Sequence, residues 1–112
     1  MAIPSELQAL IERINQELAR IEQETTQGLN LVRVRLSLFP NNAILNQYFA
    51  YFSTALFFVE TSRRQIESTI ETISPLEVPN AVVQEAAEDL GSLLGRVLEV
   101  KIKVERLITR LE

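Results

Sequence analysis

Carboxylates come closest to forming a chemical constellation in this chain. Glu67 and Glu71 are four residues apart, so a helix would set both on one face, and Glu85 lies near Glu88 and Asp89 on another stretch. Helical bundles do build di-metal centres from such groups. Those centres also draw a Glu-x-x-His motif from two of their helices, and the chain contains no histidine. The same absence removes the commonest general base and the commonest transition-metal ligand. With no cysteine either, thiolate nucleophiles, sulfur-ligated zinc and disulfides are excluded. Gly28, Gly91 and Gly95 match neither a Walker A loop nor a dinucleotide fingerprint. Lys101 and Lys103 are the only lysines, and no spacing sets a serine beside them as a nucleophile. The Glu85 group reads as negative charge near the start of a helix, where the dipole favours it. Gly91-x-x-x-Gly95 reads as a thin place or slight bend in a helix, since glycine weakens a helix interior. The expectation is a protein with no catalytic residues, no cofactor and no metal.

The aromatic residues carry more information. Tyr48, Phe49, Tyr51, Phe52, Phe57 and Phe58 fall within eleven residues, inside a run from Leu36 to Val59 that has no charged residue. That run is not a membrane span: Pro40, Asn41, Asn42, Asn46 and Gln47 interrupt it, leaving less than the ~20 apolar residues a span needs. On a helix, Leu45, Phe52 and Val59 form a central column, Ile44, Tyr51 and Phe58 a second beside it, and Phe49 and Leu56 a third. One stripe is what a helix in a three-helix bundle needs, so the excess must be thick core, an interface with another molecule, or the lining of an apolar ligand cavity oriented by a tyrosine hydroxyl. Self-association is the preferred reading, with Leu36, Phe39, Ile44, Tyr48, Phe49, Tyr51, Phe52, Leu56, Phe57 and Phe58 as interface candidates. Within that set, Phe52 stands on the column that a core would claim.

The elements that position these residues follow from stop and start signals. Ser5-Glu6-Leu7-Gln8 has the form of a capping box. Phe39-Pro40-Asn41-Asn42 ends one helix and supplies an Asn cap for the next. Ser74 to Asn80, with Pro75 and Pro79, is a connector that ends in another Asn cap. Helices are therefore expected over about 6–38, 43–73 and 81–111. Their matched lengths predict an all-α, up-down-up antiparallel bundle within a single domain, 1–112. Leu7, Ile11, Ile14, Leu18 and Ile21 step by four and three, as a coiled-coil seam does. Val83, Leu90, Val97, Val104 and Leu111, beside Ala86, Leu93, Val100 and Leu107, give the last helix a wider stripe that Lys101 interrupts. One segment has a rival reading. From Val32 to Leu38 apolar and polar residues alternate, as in a half-buried strand, and Gly28 could cap a helix ending early. A continuous helix is preferred because a lone strand would leave its amides without partners.

Hydrophobic residues at 46% and charged ones at 23% suit a folded chain. The net charge of −4 hides a polarity. Residues 1–30 carry five Glu against Arg13 and Arg20, and 60–90 carry seven acids against Arg63 and Arg64, so the half they form sums to −8. Residues 31–59 and 91–112, the aromatic half, sum to +4. Arg33, Arg35, Arg96, Lys103 and Arg110 are expected to flank the aromatic surface, with Glu99–Lys103 and Lys101–Glu105 pairs on the last helix. Nucleic acid is disfavoured by a pI near 4.9. The start of the chain lacks the basic and apolar regions of a signal peptide, which suggests the cytoplasm. The sequence thus points to a homo-oligomer, a dimer favoured, or to an acidic protein partner. The function expected is that of a non-enzymatic oligomerisation or adaptor module; a carrier of a small apolar ligand is the alternative.

Overall fold

The four-three spacing of Leu7, Ile11, Ile14, Leu18 and Ile21 brings all five onto one face, where each is at most 7% exposed. They lie on the first of three helices: α1 (Ser5–Leu38), α2 (Ala43–Ile73) and α3 (Asn80–Leu111). The computed structural model describes residues 3–112, and among these there is no strand. At ~1.5 Å per residue each helix is ~45–50 Å long, so all three run most of the 58 Å length of a rod only 19 by 16 Å across.

Cross-helix contacts set the directions. Glu22 pairs with Arg63 and Gly28 faces Phe52, so α2 runs against α1. Glu17 pairs with Lys101 and Arg20 with Glu105, so α3 runs with α1. This is the up-down-up bundle. The α1 helix packs broadly on both neighbours, and the α2–α3 seam is the lesser contact. The buried core continues through Leu45, Phe52, Val59, Ile66 and Ile73 of α2 and through Leu90, Leu93, Val97, Val104 and Leu111 of α3. Burying each such side chain contributes ~1.5–3 kcal/mol before chain entropy is set against it.

The continuous helix preferred over a strand for residues 28–38 is what forms, and two cap expectations change. The segment from Gly28 to Leu38 is helical throughout, with Leu29 and Val32 in the core. Gly28 therefore lies within α1 and caps nothing. A Cβ built there would stand 2.7 Å from Phe52 Cζ, so glycine is what lets the buried ring lie against the α1 backbone. The Ser5 capping box and the Asn80 cap do not form. Both helices begin one residue earlier, directly after Pro4 and Pro79, whose ψ values of 140° and 143° make the turn into the helix without a side-chain bond. Each proline carbonyl accepts an amide of the first turn, from Gln8 at 3.0 Å and from Val82 at 3.0 Å. The middle cap is as expected: Asn42 Oδ1 accepts from the Leu45 amide at 3.0 Å.

Candidate functional site

The sequence that ends α1 and starts α2 gathers the aromatic residues at one end of the rod. Phe39 closes α1 with its amide on the Arg35 carbonyl, and Asn42 N–H on the Phe39 carbonyl completes the turn. The Asn46 side chain then ties α2 back by donating to the Pro40 and Asn42 carbonyls at 3.2 and 2.9 Å. This braced corner fixes the orientation of the first half of α2. Phe52 points inward from it, and the Tyr48 and Tyr51 rings meet its ring edge-on, each at 6.4 Å between centroids.

The ten interface candidates divide into three groups. Phe52 is 0% exposed and is a core residue, so it cannot form part of an outer surface; its place on the central column put it against Gly28. Leu36, Tyr48, Phe49, Tyr51, Leu56 and Phe58 are half-buried and pack on the rim of the core. Phe39, Ile44 and Phe57 are 62%, 61% and 65% exposed. A ligand entering between the helices here would have to displace the Phe52 ring.

Four exposed residues of this half were missing from the sequence reading: Leu31, Val34, Leu38 and Ile102. The first three step by three and four along α1 and form a second apolar stripe, turned away from the Leu29–Val32 side. Leu31 and Val34 line an open hollow with Gln27, Asn30, Ile108 and Glu112. The alternation noted from Val32 to Leu38 was their signal. It arises when two apolar stripes share one helix, as well as from a strand. Among the described residues, seven of the eight large hydrophobic side chains that are exposed lie in the aromatic half; Leu76 is the other.

The flanking cations are partly engaged within the chain. Lys103 Nζ lies 4.4 Å above the Tyr51 ring and the Arg33 guanidinium 5.8 Å from the Phe49 ring. Arg35 donates to the Leu111 carbonyl. Arg96 and Arg110 form no ion pair among the described residues. The Glu99–Lys103 and Lys101–Glu105 pairs expected on α3 do not form. Lys101 instead reaches both Glu17 oxygens at 3.2 and 3.1 Å, and Glu105 takes Arg20 at 3.3 Å, because these positions face α1. The Arg20 guanidinium is held above its ordinary pKa by the hydrogen bond and charge of Glu24. Partial burial pushes the Tyr51 phenol up.

The carboxylates remain apart from any site. Glu67, Glu71, Glu85, Glu88 and Asp89 are all exposed, and among the described residues no three acidic side chains converge so as to hold a metal ion. Glu85 falls in the second turn of α3, whose first turn has no acid, so the dipole effect expected for it is weak. No helix among the described residues is long and apolar enough to cross a membrane. Comparison with protein-family models, with curated proteins and with solved structures finds no match to this chain.

Proposed function

We propose that this chain is a non-enzymatic oligomerisation or adaptor module that acts through protein–protein contacts on the aromatic half of the bundle, with self-association as the primary contact. The observation that carries the reading is the one-sided exposure: among the described residues seven of the eight large apolar side chains left in water, all but Leu76, lie in a single half, and exposed apolar patches rimmed by polar residues mark interaction surfaces. The engagement of Arg33, Arg35 and Lys103 within the chain favours a second copy over an acidic partner, since fewer cations are left to meet one. A chain without cysteine suits a reducing cytoplasm.

The test is mass by light scattering across concentrations, on the wild type and on two variants. The wild type is expected to be larger than a monomer. Phe57→Asp should reduce the mass and leave helicity intact, because Phe57 is 65% exposed. Phe52→Asp should unfold the chain, because it buries a charge at a 0% exposed position. A wild type that stays monomeric at high micromolar concentration would overturn the reading.

A further inference from the structure

The charges of α3 are sorted by side. Those that turn to α1 are answered there: Lys101 by Glu17 and Glu105 by Arg20. The α1–α2 seam is likewise bridged, by Glu22 and Arg63. The seam between α2 and α3 has a different make-up. Lys103 lies over the Tyr51 ring, and Val82 shares a hollow with Thr72, which fixes the levels of this antiparallel pair. Seven residues either side of Lys103, two helical turns away, Arg96 comes level with Phe58 and Arg110 with Ile44. A column of cations spaced by ~10 Å thus faces a column of apolar side chains. Arg106 joins Lys103 and Arg110 around one hollow on the same side, which Glu99 shares. None of these four cations is ion-paired among the described residues, and α2 has no charge from Ala43 to Val59 with which to answer them.

We propose that the basic end of the α2–α3 seam is a docking groove for an acidic amphipathic helix of another protein, which brings carboxylates at seven-residue spacing to Arg96, Lys103 and Arg110. The inference goes beyond self-association and gives the adaptor its second contact. The seam is the lesser contact of the three, and Tyr51, Phe58 and Val100 stay half-buried along it. A helix laid there completes a four-helix bundle. Its apolar stripe takes those side chains out of water, and its carboxylates supply the partners that α2 lacks. Lys103 keeps N–H groups for a carboxylate while it rests on the ring. The engagement of Arg33 and Arg35 leaves the groove untouched, because their partners, Phe49 and Leu111, lie outside it.

The spacing of the cations also separates this partner from a second copy. Three pairs of acids in the chain are seven residues apart: Glu17 with Glu24, Glu60 with Glu67, and Glu105 with Glu112. Each has at least one member already in an ion pair, to Lys101, Arg20 or Arg64. No helix of a second copy therefore offers a free matching row.

A labelled peptide of about three heptads, with a leucine stripe and one glutamate per heptad beside it, is the probe, and fluorescence anisotropy at trace peptide is the reading. The wild-type chain is expected to bind it saturably, and more weakly as salt is raised. Arg96→Glu together with Arg110→Glu should weaken binding at least about tenfold, and should restore it toward the same peptide with lysine in place of glutamate. Both positions are exposed, so helicity should be unchanged, and Arg13→Glu in the acidic half should leave binding as it was. Equal binding of a peptide whose glutamates are moved to the opposite face, or no effect of the double reversal, would overturn the inference. Binding of phosphatidylserine vesicles or of an oligonucleotide in place of the peptide would overturn it too, by giving the cations to phosphate. Mass separates the two proposals: a dimer that ignores the peptide overturns the groove alone, and a monomer that binds it overturns self-association alone.

Discussion

A methyl group added at Gly28 would come 2.7 Å from Phe52 Cζ and 2.8 Å from Cε2, and a ring that is 0% exposed has nowhere to withdraw. At Gly91 and Gly95, by contrast, an added Cβ meets nothing within 4 Å. All three glycines sit inside helices, where alanine is favoured by up to ~1 kcal/mol. Overpacking a filled core costs ~1–3 kcal/mol, so Gly28→Ala should lower stability by about 1 kcal/mol net. Gly91→Ala and Gly95→Ala should each raise it by roughly 0.5–1 kcal/mol. Urea midpoints at constant slope measure all three; a stabilised Gly28→Ala would show that Phe52 does not lean on the α1 backbone. The sequence marks each of these positions as glycine but is silent on the difference, because what separates them is a ring contributed from 24 residues further along the chain. Phe52 is the reverse case. Its column in the α2 pattern reveals a core residue, and the density of aromatics around it draws attention to the surface.

At the level of the helices, boundaries near Leu38, Ala43 and Ile73 are legible because proline and asparagine act locally. The two misplaced caps are local as well: a proline before a helix already turns the chain in, and the polar residue after it becomes helical without capping. Residues 28–38 are harder to read, since an alternating pattern is common to a strand and to a helix with apolar stripes on two sides. Lys101 shows a further limit. It breaks the apolar stripe of α3, and the reason lies on α1, where Glu17 is its partner and the side chains are 21% and 16% exposed. Removing one member of a pair this sheltered leaves the other charge poorly hydrated, so Lys101→Ala should cost about 1–3 kcal/mol. The double replacement Lys101→Met with Glu17→Leu should cost less than Lys101→Ala alone, since apolar packing replaces the pair without stranding a charge. Chemical denaturation of Lys101→Met, of Glu17→Leu and of the double variant forms the cycle; a double variant that loses the sum of those two singles would mean that the pair is not coupled.

For the molecule as a whole, the polarity of charge and the concentration of exposed apolar groups coincide in one half, and only the first can be counted from sequence. Counting apolar residues on α2 reveals an excess. It does not locate the excess on the outer side of α2, on the α1 stripe or at the tip, because that depends on how closely α1 closes over its neighbours. If a second copy covers this half, folding and association are linked equilibria. Each tenfold rise in protein concentration then stabilises the folded dimer by about 1.4 kcal/mol against two unfolded chains. The thermal midpoint of the wild type should therefore climb steadily over a hundredfold range of concentration. Phe57→Asp should give a midpoint that does not move and that matches the wild type only at its most dilute, because the charge removes the contact and leaves the Phe52-centred core of each chain untouched. Scanning calorimetry on both proteins makes the comparison. A wild-type midpoint independent of concentration would mean that each bundle carries its exposed half in water unaided, and the surface would then have to be explained by a different partner.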